Sequence, residues 1–189
     1  MIRSLPPIAV LLALSLSGCL TVEKKEYRIR LNSDFSGEAT ITFVNIRSES
    51  DDTTDISADD FQQLIEYYLR GQQIEQDNPG YRAVRKRLFE RDGVLTGELT
   101  FSFDSLSVMR ILRYDRTSPL MYLPGAPISN EQIVETNGTL GPDWLPAIFW
   151  PKDATELTFT TRVIPEAGFH RSLLGRFRDW QAAQESGNK

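Results

Sequence analysis

The sequence predicts an α+β domain built mostly from antiparallel β-strands arranged in hairpins. Three observations support this fold class: apolar and polar residues alternate in several short segments, the strong turn pair Asp92-Gly93 joins two of these segments, and apolar residues recur at helical spacing in two other places. Alternation with a period of two indicates a half-buried strand, and spacing of three and four residues indicates a helix with one buried face. Because no repeat or linker divides the chain, we expect one domain over residues 26–185.

The first predicted hairpin joins residues 27–31 to residues 39–43. Apolar side chains alternate with polar ones in both segments, and residues 32–37 between them are rich in Asn, Ser, Asp and Gly. These residue types favour turns. We therefore expect two antiparallel strands with one buried face.

An amphipathic helix is predicted at about residues 58–71, after a polar, acidic loop over residues 48–60. Ser57 is a candidate N-cap, and acidic residues in the first turn suit the helix dipole. Its apolar stripe consists of Phe61, Leu64, Ile65, Tyr68 and Leu69. We expect this stripe to cover one face of the sheet and Gly71 to end the helix.

The second predicted hairpin joins residues 84–91 to residues 94–103 through Asp92-Gly93, a pair typical of two-residue β-turns. Gly97 lies inside the second of these strands. A glycine in a strand often marks a bulge, so we expect one there.

The rest of the chain adds further strands and a second helix. Residues 108–114 fit a strand or a short helix, and residues 131–135, 147–150 and 156–163 fit strands. A C-terminal helix is predicted within residues 169–184, because Leu173, Leu174, Phe177 and Trp180 recur at helical spacing. We expect this apolar face to pack on the sheet, although such a face next to several arginines could also lie on an anionic membrane.

A short apolar segment between prolines is the candidate contact site for a membrane or a partner. It consists of Leu120, Met121, Tyr122 and Leu123. The segment is either an exposed loop or a buried edge strand, and its composition favours burial.

The N-terminus has the pattern of an export signal. Arg3 precedes an apolar run that is too short to span a bilayer, and small residues follow it. The next residues, Leu16, Ser17, Gly18 and Cys19, resemble the lipobox of bacterial lipoproteins. This resemblance implies that residues 1–18 are a signal peptide, that cleavage occurs between Gly18 and Cys19, and that Cys19 carries diacylglycerol and a further acyl chain such as palmitate.

Lipidation at Cys19 predicts a chain that is anchored to a cell membrane and faces the periplasm. Cys19 is the only cysteine, so it cannot form a disulfide within the chain. Leu20 takes the place of the aspartate that usually retains such proteins in the inner membrane, which favours the outer membrane in a Gram-negative cell. We expect residues 19–25 to form a short tether, and two or three acyl chains to anchor it stably.

A second resemblance concerns the domain itself. The segment Glu131 to Gly138, with its Asn137-Gly138 turn, is followed by Ile148-Phe149-Trp150, and this order is similar to the LppM-like domain of bacterial lipoproteins. The polar turn closed by Ser36-Gly37 also resembles the opening of that group. The resemblance covers about a third of the chain and implies a small α+β envelope domain without assigned catalytic residues. The insert at 142–146 departs from the family pattern.

The residues that enzymes and metal sites require are scarce. His170 is the only histidine, and no nucleophile motif accompanies it, so nucleophilic catalysis and a zinc site are not expected. Asp51, Asp52 and Asp55 offer oxygen ligands for calcium, but they lack the spacing of a calcium loop and already suit the following helix start. The net charge of −5 and the absence of a basic run argue against nucleic acid.

These observations predict an envelope lipoprotein without a cofactor or a metal. Its leading function is a non-enzymatic binding or interaction module close to the membrane, with an envelope protein as the partner. A carrier or sensor of lipid or of a small apolar ligand is the alternative, and an apolar cavity of ~300 Å³ or more would favour it. A hydrolase that uses two carboxylates is a third hypothesis.

Overall fold

A computed structural model describes residues 20–124, 130–164 and 168–187. Two antiparallel sheets and a layer of short helices enclose two hydrophobic cores. This architecture confirms the predicted α+β class with mostly antiparallel strands. Within the described ranges, no helix is both long enough and apolar enough to cross a bilayer. The predicted signal peptide and Cys19 lie outside these ranges.

The described strands and helices follow one another along the chain in a simple order. The strands are β1 (Leu20–Leu31), β2 (Gly37–Ser50), β3 (Arg82–Arg91), β4 (Val94–Phe103), β5 (Ile111–Leu112), β6 (Leu120–Tyr122), β7 (Glu131–Thr136), β8 (Thr139–Leu140), β9 (Ile148–Trp150), β10 (Glu156–Val163) and β11 (Phe169–Ser172). The helices are α1 (Ser57–Gln63), a π-helical segment (Leu64–Leu69), α2 (Gln73–Asp77), a 3₁₀ turn (Leu106–Met109) and α3 (Leu174–Gly187).

The main sheet has the strand order β3-β4-β2-β1-β10-β7, and β11 pairs with the end of β2. Both predicted hairpins are present, with strands that extend beyond the predicted bounds. The prediction of a tether over residues 19–25 is wrong for its described part, because β1 begins at Leu20 and Val22 pairs with Ile46. β2 extends into the predicted loop over 48–60. Its far end provides backbone hydrogen-bond partners for residues 20–25, which a tether would lack.

The turn at Asp92-Gly93 is confirmed, since both residues have positive φ (54° and 76°), as a type I′ hairpin requires. The bulge predicted at Gly97 is wrong. Gly97 pairs in unbroken register with Leu88 and Phe43, and the irregularity of this hairpin lies between Arg82 and Arg85. Gly97 instead allows close packing, because a Cβ there would lie 3.1 Å from Cδ1 of Ile46.

The second sheet has the strand order β5-β6-β9-β8 and packs on one end of the main sheet. Leu120 and Trp150 pair directly and are buried in the shared core. In the segment at 120–123, residues 120–122 form a strand in which Leu120 is buried and the other two are half-buried, and half-buried Leu123 follows it. The strand is not an edge strand, because β6 lies between β5 and β9. A strand and a short helix are the alternatives predicted for residues 108–114, and both are present: the end of the 3₁₀ turn comes first and β5 follows it.

The helical layer covers the other end of the main sheet and begins where the sequence predicts. Its apolar stripe faces the second core, but the predicted helix changes to π geometry at Leu64, and Arg70 N–H donates to the Ile65 carbonyl at 2.9 Å. The predicted cap is also wrong: Ser57 is buried, and its N–H donates to the Asp55 carboxylate.

The C-terminal helix packs on β4 of the main sheet, as predicted, and also contacts α1, with Leu173, Leu174 and Phe177 buried in the second core. Its start differs from the prediction. Residues 169–172 pair with the end of β2 as β11 rather than forming the first helical turn. Leu174 and Phe177 are buried and Trp180 is partly buried against the second core, so the apolar face of α3 is used mainly for packing within the protein.

Candidate functional site

The two faces of the main sheet have opposite character. On the face that carries Ile41 and Leu99, which we call the cavity face, side chains pack against the second sheet and the helices. On the face that carries Thr40 and Thr100, which we call the open face, hydroxyls and ion pairs predominate. Alternation along β4 and along β2 as far as Asn45 produces both faces from the same strands.

An apolar cavity of about 590 Å³ lies on the cavity face. We call it the sheet–helix cavity. Its floor follows a row of directly paired residues on four adjacent strands, Leu88, Gly97, Phe43 and Lys25. Its roof consists of Leu64, Tyr68 and Leu69 from the π-helical segment and Ile74 from α2.

Two backbone features shape the floor of the sheet–helix cavity. Because Gly97 has no side chain, Ile46 and Leu88 pack close to its backbone, with their nearest atoms 3.1 Å and 3.4 Å from the position that a Cβ would take. Asn45 has a positive φ of 58°, and Phe43 and Ile46, three positions apart on β2, both line the cavity. A regular strand would turn these two side chains to opposite faces.

Both lysines in the cavity wall form ion pairs with acidic residues. Lys25 forms an ion pair with Glu131, whose carboxylate also accepts a hydrogen bond from the Thr161 hydroxyl at 2.7 Å. Burial and the nearby charge of Glu131 raise the pKa of Tyr27, which therefore stays protonated. A wall built from such pairs favours an apolar occupant over an ion.

The other end of the wall repeats this arrangement. The Lys86 ammonium lies 2.9 Å from both carboxylate oxygens of Glu75 and donates to the Gly71 carbonyl at 2.6 Å. Its charge is thus satisfied by the helical layer. The same contacts connect β3 to α2 and hold the roof over the floor.

The start of β1 belongs to the sheet–helix cavity as well. Leu20, Thr21 and Val22 all line it, and Leu20 also packs against the second core. Leu20 directly follows Cys19 in the sequence. The predicted lipid site is therefore one residue away from the cavity wall.

A second, polar groove of about 530 Å³ lies on the open face. Hydroxyls of Thr40, Thr42, Thr158 and Thr160 line it together with Glu26 and Glu98. Burial raises the pKa of Glu26, but hydrogen bonds and charges of Lys24 and Arg91 outweigh it, so the net pKa lies below its usual range.

The acids of this groove do not suit acid catalysis. Glu26 stays ionised near neutral pH, whereas a general acid needs a raised pKa. Glu98 forms a two-point ion pair with Arg87. Glu26 and Glu98 therefore do not form the pair of an acid and a base with contrasting protonation that the carboxylate-hydrolase hypothesis requires.

The candidate contact segment is mostly turned inward. Leu120 is fully buried, and the Tyr122 ring lies 4.6 Å from that of Phe159 in the first core. Met121 pairs with Leu112 and Phe149 across the second sheet and is half-buried. Met121 therefore lies in a row of cross-strand partners that ends at Leu112, and Leu112 is exposed.

The other residues considered for catalysis and metal binding have local contacts. Nδ1 of His170 lies 3.9 Å from a carboxylate oxygen of Glu49, its neighbour on β2. Asp52 and Asp55 each accept a backbone N–H two residues further on. Among the residues that the structure describes, no three Asp, Glu, His or Cys side chains come close enough together to hold a metal ion.

The Asn137-Gly138 turn connects the two sheets. The Asn137 side-chain oxygen accepts hydrogen bonds from the Trp150 indole at 2.7 Å and from the Thr158 N–H at 2.9 Å, and its amide donates to the Glu156 carbonyl. A Cβ at Gly138 would lie 2.7 Å from Ile148 Cγ2. The Asn137-Gly138 motif therefore has a structural role in this protein: its hydrogen bonds connect the two sheets.

Comparison of the chain with protein-family models, with curated proteins and with solved structures finds no match. The sheet–helix cavity is the site that sequence reasoning missed. Its lining comes from distant segments of the chain, and only Gly97, a glycine inside a strong strand pattern, gave a signal, since such a glycine also indicates a close approach of other groups.

Proposed function

We propose that this protein is a lipid-anchored envelope protein, held at the outer membrane through Cys19, whose domain binds an acyl chain or a similar apolar ligand in the sheet–helix cavity. The single observation that carries the proposal is the cavity itself. Its volume of about 590 Å³ lies within the range of roughly 300–1,000 Å³ typical of ligand sites. The proposal includes no catalytic step.

The lining supports an elongated apolar ligand. Phe43, Leu88 and Leu99 form the floor and Leu64 and Leu69 the roof, and each methylene buried against such a surface gains about 0.8 kcal/mol. Because the lysines of the wall are already ion-paired within the protein, the wall does not require a charged group on the ligand. Affinity would therefore come mainly from buried apolar area.

The position of β1 supports work at the membrane surface. Since β1 begins at Leu20, the folded domain starts one residue after the predicted lipid site, about 3.8 Å away between Cα atoms. No stalk separates the domain from the bilayer in this arrangement. An apolar ligand could then pass from the membrane without crossing much water.

Titration with a fluorescent fatty acid, cis-parinaric acid, tests the ligand proposal. Both hydrophobic cores lie within residues 20–187, so a chain of residues 20–189 contains the whole cavity without the lipid. We expect saturable binding of one probe per chain. Absence of saturable binding would contradict the proposal.

Two filling variants and a matched control sharpen this test. Gly97→Val should push the side chains of Ile46 and Leu88, whose nearest atoms lie 3.1 Å and 3.4 Å from the Cβ position, into the cavity and weaken binding by about tenfold, which corresponds to about 1.4 kcal/mol. Thr100→Val, on the same strand but on the open face, should bind as the unmodified chain does. If Gly97→Val fails to fold, as judged by circular dichroism, Leu69→Trp fills the cavity from the roof. Unchanged binding by a folded filling variant would also contradict the proposal.

Maturation tests the anchor separately. Cys19→Ala, or treatment with globomycin, should leave an uncleaved precursor, because cleavage requires the lipidated thiol. Normal maturation of the Cys19→Ala variant, or a mature chain that begins at another residue, would refute lipidation.

A protein partner that contacts the second sheet is the second candidate function. The side chains of Tyr114 and Trp144, next to this sheet, are 95% and 81% exposed, and Leu112 and Leu140 are exposed at its two edges. Exposed aromatic residues in such number often mark an interaction surface. A photo-crosslinking amino acid at Trp144, compared with one at Thr160 on the open face, should capture an envelope protein from intact cells. Equal capture at both positions would remove this candidate.

A further inference from the structure

We infer that the occupant of the sheet–helix cavity is one of the acyl chains that this protein itself carries on Cys19. The inference rests on the proposed function and names its ligand. A mature lipoprotein of this kind would keep one of its own chains inside the domain, while the remaining chains hold it in the bilayer.

Connectivity is the first reason. Leu20, Thr21 and Val22 form part of the cavity wall, and the lipid is attached to the residue immediately before them. No residue separates Cys19 from the cavity wall in the sequence. An acyl chain on Cys19 would therefore start at the edge of the cavity.

The dimensions are the second reason. The lining extends from Leu88 on β3 to Glu131 on β7, which are the two outer strands of a row of six. Five spacings of about 4.8 Å between neighbouring strands give a length of roughly 24 Å. This length matches that of a single extended acyl chain.

Competition is the third reason. Bilayer and cavity are both apolar, so a chain that moves from one to the other gains or loses little hydrophobic free energy. Attachment next to the wall then gives the protein's own chain the advantage, because a tethered ligand has a high effective concentration. Two remaining acyl chains are enough for stable anchoring.

Metabolic photo-crosslinking of the full-length protein tests the inference. Cells that express it receive a palmitate analogue with a diazirine near its terminus, which enters both the Cys19 lipid and the phospholipids. After irradiation and proteolysis, mass spectrometry identifies the peptides to which the label is bound. We expect the N-terminal lipopeptide to be joined to peptides that contain Gly97 and Leu99 or Tyr68 and Leu69.

The variants defined above serve as controls. Gly97→Val should lower the yield of this crosslink several-fold, and Thr100→Val should leave it unchanged. Co-expression of two differently tagged copies shows whether the crosslink forms within one chain, as expected, or between chains, which would overturn the inference.

The other outcomes separate the two proposals. Cavity peptides crosslinked to phospholipid, with none joined to the N-terminal lipopeptide, would overturn the inference and leave the proposed apolar-ligand function standing. Label on phospholipid and on the lipopeptide but on no cavity peptide would overturn both proposals. A label-free N-terminal peptide would overturn the lipid anchor and with it this inference.

Discussion

The cavity face and the open face of the main sheet differ although they share the same strands. On β4, Phe101 is 1% exposed in the first core, whereas its neighbour Thr100 lies on the open face, 3.4 Å from the hydroxyl of Thr40. On β3, Lys86 is paired beneath the helical layer, and its neighbour Arg87 is paired in solvent. A step of one residue therefore changes the environment completely, which shows how one sheet can hold both an apolar cavity and a polar groove.

Ion pairs between strands are the main contacts of the charged side chains on the open face. Arg87 on β3 forms an ion pair with Glu98 on the neighbouring β4, and Arg85 and Arg91 reach across β4 to Glu38 on β2 and Glu26 on β1. Exposed pairs of this kind add little stability. They provide a soluble surface, and the apolar contacts on the other face hold the fold together.

Truncation of adjacent residues on β4 should give the largest contrast between the faces. Phe101→Ala removes a fully buried ring that stacks on Tyr81, and we expect it to lower the free energy of unfolding by about 3–5 kcal/mol. Thr100→Ala should lower it by less than about 1 kcal/mol, because its hydroxyl bond is weak and partly solvated. Urea denaturation followed by fluorescence measures both. Equal decreases in the free energy of unfolding would show that the open face stabilises the fold as much as the buried face does.

Removal of adjacent charges on β3 should give a smaller contrast. The Lys86 side chain is 12% exposed and makes three polar contacts, whereas the Arg87 side chain is 64% exposed. We expect Lys86→Met to cost about 1–2 kcal/mol, since it leaves Glu75 and the Gly71 carbonyl without their donor. Arg87→Met should cost less, because exposed ion pairs add little stability. Urea denaturation measures the free energy of unfolding of both variants. A larger decrease for Arg87→Met than for Lys86→Met would contradict the assignment of the two faces.

Acid titration should give the smallest effect and concerns the open face. The pKa of Glu26 lies below its usual value of 4.5 in the folded protein, so the ionised carboxylate stabilises the fold above about pH 4.5, and this contribution is lost as the pH falls through the lowered pKa. Glu26→Gln should therefore reduce the Tm at neutral pH slightly and flatten its decline in acid. Thermal melts at a series of pH values measure this slope. An unchanged acid slope in the variant would show that Glu26 does not contribute to it.

The elements that sequence reasoning predicted well are those whose patterns are local. The Asp92-Gly93 turn requires two positive φ angles that Gly and Asp tolerate, and the alternating segments around it need only one buried face to form strands. The elements that it missed depend on distant partners. Residues 20–25 and 169–172 carry weak patterns of their own, and they are strands because both pair with the far end of β2.

The sequence by itself determined the α+β class, the two hairpins, the apolar stripe of the first helix and the burial of the C-terminal helix, because short-range periodicity decides which side of each element is apolar. Tertiary structure alone decided that Gly97, Asn45 and the π-helical segment enclose a cavity. An empty space between elements depends on side-chain volumes from segments far apart in the chain. No local pattern records whether such volumes meet or leave a gap.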